Sequence, residues 1–418
     1  MIIVSILIYA ASFVGLYIVI FFLATFFENR RHLYRPLLQS NYPSVAFLVP
    51  CYNEEKTIAK TIKSLLSLNY PKEKLSILII DDGSRDDSYQ IARQLQKKNP
   101  IIQVYHKENG GKYTALNHGL EQTKAEFIAT LDADSVVDSE VLKIMIPYFS
   151  DPNTKAVTSS IKIYQPKGLL RHVQNIEYIL GIALRKVQSF LGSINVTPGP
   201  MTIFRREVFA EIGNYRLGHN TEDFEMALRM QKHNFQIENA INAYVYTVAP
   251  NRLGVLYRQR KRWYQGILRN GWDYRSLFGK KHGNLGLFVL PATLLGIIFL
   301  LVSSSYFLFR FVKMSLTSFS SWRAIGFDLS QIDPTWPSWF FVNSRALTII
   351  SVFSILLTLI LLFITKRISS SSSKFNRGLI LTALFYFPVY TACWFGAVYT
   401  VLFNRKTDWA KEKEKDLK

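Results

Sequence analysis

Residues 1–27, MIIVSILIYAASFVGLYIVIFFLATFF, carry no charge. A hydrocarbon core about 30 Å thick needs about 20 apolar residues in a helix, so this run predicts a membrane span. It lacks a basic start and a small-residue cleavage site, which favours an anchor over a removable signal. Three more apolar runs predict spans at 285–309, 346–365 and 379–403. Between the two ends the pattern changes. SVAFLVP, LSILIID, IIQVYH and EFIATLD read as buried parallel strands, with helices at 54–68, 84–98 and 112–123. That alternation predicts an α/β sheet with helices on both faces. Next, apolar residues recur three or four apart over 168–194, at Leu169, Val173, Ile176, Leu180, Leu184, Val187, Leu191 and Ile194, with Arg171, Arg185 and Lys186 between them. This fits a helix on a membrane surface, with a core-packed helix as the alternative. A second amphipathic stretch, 252–278, leads into the next apolar run. The expected division is a span (1–28), a water-facing α/β domain (44–250), an interfacial segment (251–283), about three C-terminal spans (284–404) and a charged tail (405–418).

Charge adds an orientation. The 418 residues have a formal net charge of +20, which on its own raises nucleic acid or anionic lipid as partners. Arg30, Arg31 and Arg35 follow the first span, and Lys366, Arg367, Lys374 and Arg377 follow the third with no acid among them. Short basic flanks stay on the cytosolic side. The large domain is therefore expected in the cytosol of a multi-pass plasma-membrane protein, its basic excess toward the anionic leaflet and with no nucleic acid bound. The tail NRKTDWAKEKEKDLK would then lie outside despite its basic residues, unless one C-terminal segment is re-entrant or interfacial. SSSSS, at 369–373, reads as a flexible loop. Cys51 and Cys393 are the only cysteines, which argues against a disulfide or a zinc site.

Chemistry gathers where the strands end. PCYNEE, DDGSRDD, KENGGK and DADS follow the four predicted strands, and ligands of such sheets sit beyond the strands' carboxyl ends. No dinucleotide or P-loop glycine motif occurs. Asp132 and Asp134 can both approach one divalent cation, completed by water and phosphate oxygens. A carboxylate at Asp81 or Asp82 can accept a uracil N3–H, with Gly83 permitting a tight turn and Ser84 capping the next helix. Tyr52, Asn53 and Glu54 are placed to stack on and bond the same nucleoside. Lys112, after Gly110 and Gly111 at a helix start, can meet an anion. Glu222 and Asp223 open a helix behind Thr221, and a carboxylate there can take a proton from a sugar hydroxyl. Each motif alone also has a structural reading as a capped turn or solvated surface.

In order, PCYNEE, DDGSRDD, NGGKYTALN, DADS, TED and QRKRW resemble the processive, membrane-integrated members of glycosyltransferase family 2. The likeness spans about 45–275 in motifs, and the flanking spans extend it. It implies a GT-A, Rossmann-like cytosolic domain joined to transmembrane helices. It also implies inverting transfer from a UDP-sugar without a covalent enzyme intermediate. By resemblance, Asp82 with Asp81 beside it contacts the uridine. Asp132 and Asp134 serve Mg²⁺ or Mn²⁺ and the diphosphate, and Asp223, with Glu222, activates the acceptor. Gln259 and Arg262 bind the diphosphate, and Trp263 stacks on the acceptor sugar. Length and span plan are most similar to poly-N-acetylglucosamine synthases, implying UDP-GlcNAc as donor, a growing polysaccharide as acceptor and export with small membrane partners. Hyaluronan, chitin-oligosaccharide and cellulose synthases share much of the plan, as does a non-processive enzyme acting on a lipid carrier. NVTPGP, with Gly199, stands where relatives line the acceptor site and departs from cellulose-synthase patterns. Arg258, Arg260 and Lys261 are left for an inner-leaflet contact. Trp336, Trp339 and Trp394 are expected at a polymer passage or in an interfacial belt.

Overall fold

A computed structural model describes residues 2–35, 42–324, 346–368 and 387–403. The predicted tail, the serine tract, Lys374, Arg377, Trp336 and Trp339 lie outside the described residues, as does 379–386 of the last predicted span. The chain forms two compact units, one of residues 1–23 and 291–361, the other of 24–290 and 362–418.

The first unit is helical. It takes most of α1 (Ile2–Glu28). It also holds most of a long helix and a shorter one, both defined below. Apolar side chains such as Phe307, Leu308 and Met314 are more than half exposed there.

The second unit begins with β1 (Val45–Cys51), α2 (Ile58–Leu66), β2 (Leu75–Asp81), α3 (Ser88–Lys98), β3 (Ile102–His106), α4 (Lys112–Glu121) and β4 (Phe127–Thr130). These are the strands and helices that the alternation predicts, with shorter helices. α2 starts at Ile58, not 54, because residues 55–57 form a turn, after Asn53 with its left-handed φ of 52°. Asn53, Glu54 and Glu55 direct their amides to Ser84, Ser88 and Asp86, and this cross-linking also delays α3 to Ser88. The chain continues through β5 (Val136–Val137), α5 (Val141–Met145), β6 (Thr154–Ile163), α6 (Leu169–Phe190), β7 (Thr202–Arg205), α7 (Glu207–Ile212), α8 (Glu222–Lys232), β8 (Gln236–Thr247) and α9 (Leu253–Asp273). Three apolar helices complete it: α10 (Leu290–Ala324), α11 (Ala346–Ile368) and α12 (Phe387–Leu402).

The described strands form one mixed sheet in the order β3-β2-β1-β4-β7-β6-β8-β5. β1 pairs in parallel with β2 and β4, and β2 with β3, whereas β7 runs antiparallel to β4 and β6. Alternate side chains feed two cores. Val45, Phe47, Val49, Ile77 and Ile79 pack toward one face, and Ala46, Leu48, Leu78 and Ile80 toward the other. Each such side chain contributes about 1.5–3 kcal/mol on full burial. α4 lies so close to the sheet that a Cβ at Gly119 would come 3.0 Å from Leu48 and nearer still to Ile80.

α6 corrects the membrane-surface expectation. Val173, Ile176, Ile179, Ile182 and Val187 are buried in the protein, while Leu169 is exposed. Lys186, expected on the polar face, is also buried. Its Nζ donates to the Asn239 carbonyl at 2.9 Å between the rings of Tyr148 and Phe190. Arg185 likewise turns inward, toward the Ser159 carbonyl. α6 is the core-packed alternative. Trp394 also departs from expectation. It is buried, its ring stacked on Tyr264 at 4.2 Å with 3° between the planes. It packs α12 against α9. Among the described residues one helix, Leu285–Ser320, is long and apolar enough to cross a membrane.

Candidate active site

Parallel pairing brings the ends of β1, β2 and β3, at Cys51, Asp81 and His106, to one edge of the sheet, with β4 ending alongside at Thr130. The first group there surrounds the β2 acids. Asp82 is buried with both oxygens engaged: Lys107 Nζ donates to Oδ1 at 2.7 Å, and the amides of Gly110 and Gly111 to Oδ1 and Oδ2 at 3.1 and 2.9 Å. Asp81 differs. Its Oδ2 meets His106 Nδ1 at 2.6 Å and the Ser84 amide at 3.3 Å, while its buried Oδ1 has no hydrogen-bond partner. A buried carboxylate oxygen without a donor is costly, and a ligand N–H would relieve it. The open acceptor is thus on Asp81, and Asp82 shapes the glycine loop. Tyr52 is buried, leaving little ring surface for stacking. Glu54 Oε2 accepts from Thr57 Oγ1 at 2.6 Å.

The second group forms where that loop enters α4. Lys112 Nζ donates to Asp132 Oδ1 at 2.8 Å and sits 2.9 Å from Glu222 Oε1. Gly199 is built against this pair: a Cβ there would lie 2.8 Å from Asp132 Oδ1 and closer still to Lys112 Nζ. Thr197, two residues earlier, donates through Oγ1 to the Asp223 carbonyl at 2.8 Å. Burial and the Glu222 charge push the Asp223 carboxyl up to about 6, against the opposing pull of Lys112 and Arg262. Burial opposes charge at Lys112, but Asp132, Glu222 and Asp223 outweigh it and hold the ammonium well above its ordinary value. Burial would raise Glu222 as well, yet Lys112 prevails and lowers it. The site therefore pairs one firmly ionised carboxylate with one poised to exchange a proton near neutral pH.

The third group is α9. Gly218, His219 and Asn220, just before Thr221, all take positive φ, of 52°, 53° and 64°. Such backbone costs a non-glycine residue about 1–3 kcal/mol, so something must hold it. α9 does. Asn270 Nδ2 donates to the Gly218 carbonyl at 2.8 Å, Arg262 Nη1 to the Asn220 carbonyl at 2.6 Å, and His219 Nε2 meets Asp273 at 2.8 Å. Gly266 lets the helix approach: a Cβ there would fall 2.8 Å from Thr221 Cβ and closer to its Oγ1. Gln259 Oε1 accepts from Arg260 Nη1 at 3.0 Å, and Trp263 is half-buried beneath the same guanidinium.

The structure thus joins Lys112, Asp132, Gly199, Glu222, Asp223 and Arg262 in one charged neighbourhood. Asp134 is held separately by Ser135 Oγ at 3.0 Å and Thr247 Oγ1 at 3.4 Å. Among the described residues no three His, Cys, Asp or Glu side chains gather as a metal site. Two half-exposed carboxylates one residue apart still suit a Mg²⁺ or Mn²⁺ ion that takes its other ligands from water and phosphate. Residues the motifs did not assign include His106, Lys107, Thr197, Asn270 and Arg260. For Arg260 a signal existed: Leu256, Arg260 and Tyr264 recur every four residues, and all are buried.

A sequence model described as glycosyl transferase family 2 matches residues 46–213. The chain is 32% identical over 278 residues to a poly-beta-1,6-N-acetyl-D-glucosamine synthase of Staphylococcus epidermidis, covering 64% of this chain and 67% of that one. It is 34% identical over 224 residues to the synthase of the same name from Staphylococcus aureus strain COL, spanning about half of each, 53% and 54%. A mannosyltransferase from Pyrobaculum calidifontis, solved in complex with GDP-Man and Mn2+, superposes over 96% of this chain and 99% of its own. The TM-score is 0.61 at 17% identity, a likeness of fold alone, and that fold is the GT-A one expected from the motifs. With the family match on the sheet edge that carries these acids, and relatives above 30% identity around it, the chain is a glycosyltransferase and belongs to glycosyltransferase family 2.

Proposed function

We propose that this chain polymerises N-acetylglucosamine from UDP-GlcNAc into a β-linked polysaccharide and passes it across the membrane. The carrying observation is Asp223: a carboxyl raised to about 6 beside the Lys112 ammonium and Arg262 guanidinium. A base so poised can take the proton of an acceptor hydroxyl near neutral pH. The freed oxygen attacks the anomeric carbon from the face opposite the leaving group. The bond to UDP breaks and the configuration inverts from α to β. Lys112, Gln259 and Arg262 offset the charge that grows on the departing diphosphate. Asp81 Oδ1 accepts the uracil N3–H, Asp82 keeps the glycine loop in shape, Glu54 offers the nucleoside a further polar contact, and buried Tyr52 backs the site without stacking. Gly199, on the acceptor side, lets the Lys112–Asp132 pair pack against its backbone, and Trp263 offers the acceptor an aromatic face. Asp132 and Asp134 would hold Mg²⁺ or Mn²⁺, which when bound supplies further charge for the diphosphate.

The relatives' names support the sugar and the polymer. The exposed apolar side chains of α10 support a membrane setting. In this reading 44–250 faces the cytosol, 251–283 lies at the interface and 284–404 spans in more than one pass, as the basic flanks and apolar runs of the sequence suggest. The test is a panel of UDP-sugars given to the detergent-purified full chain with Mg²⁺, measuring UDP release and product linkage. UDP-GlcNAc should release UDP and leave a long β-linked glycan. No UDP from any donor refutes the reading, and an organic-extractable single-sugar product replaces polymerisation with transfer to a lipid.

A further inference from the structure

Arg260 lies inside the QRKRW motif yet has no part in the chemistry so far, and its expected place was the membrane surface. It is instead 1% exposed. A buried guanidinium needs partners, and Arg260 has them on two helices. Nη2 donates to Glu177 Oε2 of α6 at 2.8 Å and Nη1 to Gln259 Oε1 at 3.0 Å. The guanidinium carbon lies 4.1 Å from the Trp263 ring centroid and 6.0 Å from that of Tyr178 on α6.

An indole has two faces, and Arg260 occupies one of Trp263's. We infer that Arg260 is a positioning residue that fixes the Trp263 indole, leaving only the opposite indole face for an acceptor sugar. This rests on the proposed role of Trp263 in acceptor binding. Glu177 anchors the arrangement to α6, so the aromatic platform is referenced to the sheet rather than to the mobile end of a side chain. A flat guanidinium suits this task, because a lysine keeps the charge but has neither the flat stacking face nor the rigid fork that reaches two separate acceptors.

The test is steady-state kinetics of the full chain in detergent, with UDP-GlcNAc and a β-linked GlcNAc oligosaccharide varied independently. R260K should raise the acceptor KM about tenfold, as expected for losing a desolvated cation–aromatic contact, while donor KM and kcat stay within about twofold. E177Q, which leaves Arg260 in place but loosens its anchor, should move the acceptor KM in the same direction by less, and it carries the test if R260K fails to fold. Donor and acceptor KM moving together in E177Q would make the cluster merely structural and overturn the inference. An unchanged acceptor KM in both variants would overturn it as well. Wild-type protein that makes no glycan in the same assay overturns the functional reading and this inference with it, and the wild-type control separates the two failures.

Discussion

Asp223 and Glu222 are adjacent carboxylates with opposite tendencies, and their division of labour is measurable. Asp223 must be ionised to act as base, and its carboxyl is raised to about 6. The transfer rate should therefore fall as pH drops through about 6, about tenfold per unit below it, as a pH–rate profile of kcat will show. Glu222→Gln removes a neighbouring charge that raises Asp223 and leaves Lys112 freer to lower it, so the acidic limb of the profile should move to lower pH. A limb that stays in place would assign it to another group. Asp223→Asn should cut the rate by at least about a hundredfold with donor KM little changed. Gly199→Ala places a methyl against the Lys112–Asp132 pair, and loss of activity with an unaltered melting temperature is the expected result. The acids of this site were legible in the sequence because acidic motifs follow several successive strands, which the parallel sheet brings to one edge. Their partners were not. Nothing in DDGS says that Asp82 satisfies two glycine amides while Asp81 keeps an open oxygen, since that depends on how the loops from β2 and β3 meet.

Helix α9 meets the turn that leads into α8 by close approach as well as by side-chain bonds. Gly266 faces Thr221, and a larger residue forces the helix off the left-handed turn that precedes Asp223. Gly266→Ala should cost about 1–3 kcal/mol by overpacking, read as a lower unfolding midpoint, and should reduce kcat further than that loss explains. The first four strands and their order of chemistry were readable from period and punctuation, and β2 falls on the predicted residues, Leu75–Asp81, whereas β5 to β8 were not read from the pattern. The starts of α2 and α3 were not, because Ser84, Asp86 and Ser88 draw the amides of the preceding loop into side-chain bonds that the apolar pattern does not encode, whereas α4 begins on the predicted Lys112. α6 misled for a related reason: its spacing fits either a membrane surface or a sheet, and only the burial of Lys186 and Arg185 against β6 and β8 decides.

For the molecule as a whole, apolar helices and a charged catalytic unit predict behaviour that fractionation can check. The chain should remain with membranes through high-salt and alkaline washes and leave only with detergent; release by salt alone would reduce the basic excess to peripheral attachment. The α/β unit was legible from motif order, whereas the membrane part was legible only as apolar runs, because hydropathy carries no information about helix partners. One local feature also bears on how long the folded chain lasts. Asp82 is followed by Gly83, and an aspartyl-glycyl bond is chemically fragile: the glycine nitrogen can attack the side-chain carboxyl, closing a succinimide that reopens as isoaspartate. In the folded chain that carboxyl is held by Lys107 and by the amides of Gly110 and Gly111, away from its own backbone. The clamp that shapes the glycine loop is thus also a guard against chemical ageing. Peptide mapping after prolonged warm storage should find isoaspartate at 82 in denatured protein and almost none in the native enzyme.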